Sequence, residues 1–227
     1  MVTNADGRTP EHIKKVRTKI SPEDVLNLIK MRRTVRKFDP EKPVGNESLN
    51  RILEAGTWAP YGPYFPQGWK FIAVKGAKRE QIISIVTKSQ TVLKYLRTQY
   101  ETAPWAAEAE SKAEHETKEF AKEFGHTLGR APVTILALVP YSESLAVRGH
   151  NMGSAWAAAQ NMMLQAQAEG LNSGVITFHS PAVQHKLTEV LELSGDEWMV
   201  VYLLNIGYGI ESPEAPHRKE GLSEIRE

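Results

Sequence analysis

Met31-Arg32-Arg33-Thr34-Val35-Arg36-Lys37-Phe38 sets three arginines, a lysine and a hydroxyl within eight residues. A planar guanidinium presents paired N–H donors that meet two phosphate oxygens at once, which the point charge of lysine cannot do. Thr34 adds a neutral donor to the same anion. Val35 and Phe38 fall between the charges, as anchors would in an extended segment with one side on a core. The chemistry on offer is the grip of a phosphate. A solvated basic helix end, favoured by the negative C-terminal dipole of a preceding helix, is the competing reading.

Nothing else in the chain supplies a reagent. The seven histidines, at 12, 115, 126, 150, 179, 185 and 217, are not paired at metal-ligand spacing. Cysteine is absent, which excludes disulfides, thiolate metal sites and cysteine nucleophiles. There is no Gly-x-Ser-x-Gly elbow and no Gly-x-x-x-x-Gly-Lys phosphate loop. A net charge of +1 gives no reason to expect nucleic acid or an anionic membrane as partner, so the basic cluster needs a local anion. No run approaches the roughly 18 apolar residues of a membrane span. The cysteine-free composition fits a reducing cytoplasm, the expected location. With 41% hydrophobic and 24% charged residues in 227, one sizeable core is expected.

The elements that must position the cluster follow from local pattern. Residues 1–20, polar and without the apolar region of a signal peptide, are expected to be a mobile leader. Ser21-Pro22-Glu23-Asp24 starts a helix with a cap, an early proline and acids at the positive dipole end. Val25, Leu28 and Ile29 predict one buried face, and this helix delivers Arg32. Asn46 is expected to cap a second helix with the stripe Leu49, Ile52, Leu53 and Gly56. Three prolines and two glycines between Trp58 and Gly68 exclude regular structure there, and Trp69–Val74 reads as a buried strand. Lys78–Leu96 reads as one helix, and 97–129 as an Ala-, Glu- and Lys-rich excursion with a thin apolar stripe. Val133–Val139 is a core strand, followed by a linker over Pro140–Gly149. Asn151–Glu169 is apolar on almost every face, which predicts burial on all sides and hence a subunit interface as well as a core. Gly170 stops it. A short strand over Val175–Phe178, a helix from Ser180-Pro181, a last strand over Met199–Gly209 and a tail over 210–227 complete one domain, 21–227.

The Arg32-Arg33-Thr34-Val35-Arg36-Lys37-Phe38 segment resembles the Arg-Arg-Ser/Thr-x-Arg-x-Phe segment of the nitroreductase-like FMN enzymes. Three further stretches match that family in order. Ala59-Pro60, Gln67 and Trp69 keep part of its Ala-Pro-Ser-x-x-Asn-x-Gln-Pro-Trp loop, although Tyr61 stands for the Ser, no Asn precedes Gln67 and Gly68 replaces the Pro. Ser154-Ala155-Trp156-Ala157-Ala158-Ala159-Gln160-Asn161 is similar to its central dimer helix. Ile206-Gly207-Tyr208, the tail prolines and Arg218-Lys219 match its C-terminal pattern. The resemblance implies an α+β fold, with a mostly antiparallel central sheet flanked by helices and an intertwined homodimer. It implies FMN as cofactor and NADH or NADPH as electron donor. Arg32, Arg33, Thr34 and Arg218 would hold the flavin phosphate, and Arg36 would reach the N1/O2 edge of the ring. Pro60, Tyr61, Gly62 and Gln67 would cover the ring across the dimer, and the backbone of Ile176 and Thr177 would meet N5 or O4. Residues 97–129 would act as a lid, and 210–227 as a tail reaching the partner subunit. The implied activity is reduction of an electron-poor small molecule, a nitroaromatic or quinone, by ping-pong hydride transfer. Alternatives are a reductive dehalogenase, a flavin-consuming relative, or a non-catalytic flavin-binding dimer.

Overall fold

The computed structural model describes residues 21–226 apart from 91, 95–97, 99–122, 179 and 216. The leader over 1–20 and most of the expected lid over 97–129 therefore lie outside the described residues. The described chain runs α1 (Pro22–Met31), α2 (Asn46–Thr57), β1 (Lys70–Lys75), α3 (Gly76–Thr87), β2 (Val133–Pro140), α4 (Leu145–Ala168), β3 (Asn172–Ile176), α5 (Pro181–Val190) and β4 (Trp198–Gly207). The strands form one sheet in the order β1-β2-β4-β3, with every neighbouring pair antiparallel. The fold is α+β, as the sequence predicts.

The central strands β2 and β4 alternate their side chains between two cores. Ile135, Ala137 and Val139 of β2, with Tyr202, Leu204 and Ile206 of β4, pack against α2 and α4. Leu136, Leu138, Val200 and Leu203 face the other way, toward α3 and α5. A register shift between Ala137 and Leu138 breaks the pairing with β4 once. Tyr202, fully buried, donates its hydroxyl to the Ala155 carbonyl at 2.9 Å, and burial pushes its phenol well above the usual range.

Several expectations change. Ser21 caps α1 by accepting from the Asp24 amide at 3.0 Å, but α1 has no buried residue; Val25 and Ile29 are 46% and 44% exposed. Gly45, not Asn46, is the N-cap of α2, and the Asn46 amide oxygen instead accepts from Lys75 Nζ at 2.9 Å. The helix expected over Lys78–Leu96 ends at Thr87, where Lys88 and Ser89 close the turn. Helix α4 begins at Leu145, inside the expected linker, because the Ser144 hydroxyl caps it through the Val147 amide. Its burial is one-sided: Ala155, Ala158, Ala159, Met162 and Ala166 are buried, while Gly153 and Trp156 are exposed. So the apolar face of α1, and the side of α4 that carries Gly153 and Trp156, stay uncovered in the described chain.

Candidate functional site

The arginine segment is threaded between three pieces of backbone. Val35 N donates to the Ser173 carbonyl of β3 at 2.9 Å, and Phe38 N donates to Gly129 at 3.0 Å. On the far side, Ile210 N reaches the Lys37 carbonyl at 3.0 Å and Asp39 N reaches Tyr208 at 2.9 Å. Val35 and Phe38 are buried, as their spacing predicts. Two glycines make the fit possible. A Cβ on Gly174 would lie 2.2 Å from the Val35 carbonyl oxygen, and one on Gly129 would lie 2.3 Å from that of Arg36. Gly129 also sits at φ +81°, a conformation that side-chain-bearing residues disfavour. The turn holding Gly129 is fixed in turn by Asn205 of β4, whose amide donates to the Leu128 carbonyl and whose oxygen accepts from buried Thr134 at 2.8 Å.

A second tie comes from the tail. The Glu211 carboxylate accepts from the backbone amides of Arg36 and Lys37, the latter at 3.2 Å. Glu211 carries no family signal that the sequence reading used, and only the contact between residues 175 positions apart reveals it.

Charge converges on Arg32. Its guanidinium is half-buried and donates to the Thr34 hydroxyl at 3.5 Å, the weak limit of such a bond. Its pKa is lowered first by burial, then by the like charges of Arg33 and Arg218. Arg33 and the exposed Arg218 of the tail thus lie near enough to Arg32 for their charges to act on it, the grouping that the family resemblance implies for the phosphate. No carboxylate among the described residues pairs with any of the three. Arg33 is partly engaged elsewhere, with Nη1 donating to the carbonyls of Lys30 and, at 2.9 Å, Arg32, so that it caps the end of α1.

Arg36 stands apart from this cluster, lining a cavity of about 200 Å³ with Phe38, Phe124, Gly129 and Ile210. The loop after α2 is irregular, and Pro60, Tyr61, Tyr64, Phe65 and Gln67 are exposed. Gly62 N donates to Ser154 Oγ of α4 at 2.9 Å, Tyr64 lies 5.3 Å from the His150 ring, and Tyr61 lies 5.7 Å from Trp69. The loop is thus tied to α4, and no hydrogen bond or ring contact joins it to Arg32, Arg33 or Arg218 in the same subunit. Ile176 points into the core at the end of β3, with Thr177 half-buried just after it. Among the described residues there is no cluster of three metal-ligating side chains, and no helix is long and apolar enough to cross a membrane.

Comparison with known proteins finds relatives that match nearly the whole chain. YdgI of Bacillus subtilis (strain 168), named as a candidate NAD(P)H nitroreductase, is 23% identical over 209 residues, covering 88% of this chain and 95% of its own. The FMN-dependent nitroreductase NfnB of Mycobacterium smegmatis, solved in complex with NADPH, superposes with a TM-score of 0.66 at 20% identity over 90% of this chain and 99% of that chain. A BluB-like flavoprotein of Clostridium difficile 630 superposes with a TM-score of 0.64 at 22% identity over 89% and 99% of the two chains. The nitroreductase family matches residues 29–208, from the end of α1 to the residue after β4. The chain belongs to the nitroreductase family.

Proposed function

We propose that the protein is an FMN-dependent NAD(P)H oxidoreductase that works as a homodimer and reduces an electron-poor small molecule, such as a nitroaromatic or a quinone. One observation carries this: Arg32 and Arg218, from opposite ends of the chain, converge with Arg33 without a carboxylate partner. Arg32 and Arg33 are half-buried and Arg218 is exposed, and like charges drawn near one another repel unless a dianion answers them. A phosphate monoester supplies that charge, and guanidinium and hydroxyl donors suit its oxygens. The donor set therefore fits the phosphate end of FMN. The NADPH in the NfnB complex and the name of YdgI support a nicotinamide donor.

Bound FMN would supply hydride transfer through its N5 position, chemistry that no side chain of this chain offers. The chain's own residues bind and orient. Arg32, Thr34 and Arg218 would hold the phosphate, with Arg33 adding charge beside them. Backbone donors at Ile176 and Thr177 would face the N5/O4 edge and favour negative charge there. Arg36 would serve the N1/O2 edge, although its side chain must leave the small cavity beside Phe124 to do so. Pro60, Tyr61 and Gln67, exposed in one subunit, and the half-buried Gly62 beside them would cover the ring bound mainly by the other. The uncovered apolar face of α1 and the uncovered side of α4 are the surfaces that such a dimer would bury.

The test is to purify the protein, measure flavin per subunit, identify it after release, and follow NADH and NADPH oxidation with a nitroaromatic and with a quinone. About one FMN per subunit and sustained turnover with one donor and one acceptor are expected. A protein that ignores added FMN would overturn the reading. Turnover that destroys the flavin would instead place the chain with the flavin-consuming relatives.

A further inference from the structure

A cavity of about 690 Å³ lies between the start of α3, the turn before β2 and the chain just after Phe38. Its wall includes Lys75, Gly76, Arg79 and Arg130, with Glu41 and Glu80 as the acidic members. Arg79 is the unusual one. Its side chain is only 6% exposed, and Nη1 donates to Glu80 Oε1 at 2.7 Å. Nε and Nη2 are buried and meet no acceptor. Those two atoms carry the parallel N–H bonds of the guanidinium edge, the fork that grips two oxygens of a carboxylate or phosphate. Leaving that edge unpaired inside a protein is destabilising, and burial lowers the Arg79 pKa with only partial relief from Glu80.

A second feature converges on the same cavity. Helix α3 begins there without a side-chain cap and without an acid in its first turn. Lys75, at the N-cap position, sends its ammonium away to the Val44 carbonyl at 3.1 Å and Asn46 at 2.9 Å. The first amides of a 12-residue helix are thus left with the positive dipole end and no internal anion. Glu80 does not fill the role: its side chain is 71% exposed and holds only Nη1. The free edge is closed to water as it stands, so binding requires the guanidinium to turn about its last side-chain bonds, away from Glu80, toward the cavity that Arg79 lines. The site is distinct from the arginine cluster, since none of Arg32, Arg33 and Arg218 lines this cavity.

We propose that Arg79, with the uncapped start of α3 and Arg130, forms a second anion site that takes the phosphate or carboxylate group of a small molecule. The test uses protein first shown by its absorbance to be saturated with FMN, so that the arginine cluster is filled. A failure at that step counts against the flavin reading and is visible separately. The saturated protein, in chloride buffer at constant ionic strength, is then titrated with inorganic phosphate and, in parallel, with acetate, by calorimetry and thermal unfolding. A saturable rise in the unfolding midpoint is expected with at least one of them, and which one responds assigns phosphate or carboxylate. Arg79→Met should weaken that response by roughly tenfold or more, the loss of one charge-assisted fork. In chloride alone the same variant should unfold no lower than wild type, because it removes an unpaired buried cation. No saturable response to either anion, or an undiminished one in Arg79→Met, would overturn the proposal. So would a chloride midpoint for the variant well below wild type, since it would mean that the protein itself already satisfies Arg79.

Discussion

Replacing Gly174 with alanine would put a methyl carbon 2.2 Å from the Val35 carbonyl oxygen, where real contacts stay at 3.0 Å or more. The arginine segment would have to move by about 0.8 Å, the gap between 2.2 and 3.0 Å. That displacement strains the Val35–Ser173 hydrogen bond, now 2.9 Å, and carries the flanking Arg32 and Thr34 with it. Overpacking of a fitted contact destabilises by about 1–3 kcal/mol, and for a domain of this size each kcal/mol lowers the melting midpoint by about 2–4 °C. The cofactor effect should be larger. If the shift disables one charge-assisted hydrogen bond to the phosphate, worth about 1.5–3 kcal/mol, FMN affinity should fall by roughly one to two decades. Flavin fluorescence titration measures that constant, and a thermal scan of the same sample measures the midpoint. Gly45→Ala is the control, because nothing lies within 4 Å of its added methyl. If Gly174→Ala binds FMN as tightly as Gly45→Ala, the segment does not hold the phosphate and the site has been misplaced.

Arg218→Ala should weaken FMN binding roughly tenfold or more, while Lys219→Ala, next to it, should change it far less; equal dissociation constants would show that the tail does not reach the phosphate. Glu169 is held near a pKa of about 2, first by its hydrogen bond from Arg51 and then by that from Ser48. Its folded pKa lies below the ordinary 4.5, so its stabilisation is full above that pH and disappears as pH falls from 4.5 toward 2. Glu169→Gln should flatten the melting midpoint across that window, and parallel pH curves for the two proteins would refute the assignment. Gly153 is exposed in the subunit with nothing within 4 Å, so Gly153→Glu should leave the subunit folded and abolish dimer and bound FMN in the same step; light scattering and flavin absorbance on one chromatography run read both, and an FMN-bound dimer would refute the shared interface.

The strands were legible because β2 and β4 are buried on both faces and read as continuous apolar runs, which few other elements can produce. The arginine segment was legible in part: residue type offers a phosphate grip beside the reading of a solvated helix end, Val35 and Phe38 mark the extended backbone, and Arg218 entered only through the family resemblance. What failed was the inference from an apolar stripe to burial within one subunit. Val25, Leu28 and Ile29 have the spacing of a packed face, yet α1 stays exposed, because spacing defines a face without naming what covers it. For α4 the expectation was an interface as well as a core, and within the described chain only one side of it is covered. Glu211, Asn205 and Arg79 were illegible in a deeper sense. Glu211 and Asn205 matter through partners 71 to 175 residues away, and Arg79 through the lack of a partner for Nε and Nη2, and neither is written in local sequence.

The arginine segment and the tail after β4 meet beside the proposed phosphate position, and the interactions between them are of opposite kinds. The Ile210–Lys37 hydrogen bond and the Glu211 carboxylate pull the tail onto the arginine segment. Arg218, further along the same tail, meets Arg32 as a like charge and pushes it away. The backbone ties act close to the segment and do not need a ligand. The repulsion falls on the last stretch of tail, and a dianion between the guanidiniums would turn it into attraction. Whatever binds there only when the tail is docked adds its binding energy to that docking. Occupancy of the site and order of the tail beyond Glu211 are therefore linked: each should strengthen the other by the same factor. The link would run through Arg218, whose charge acts on the anion, and not through Glu211, whose carboxylate accepts from backbone amides.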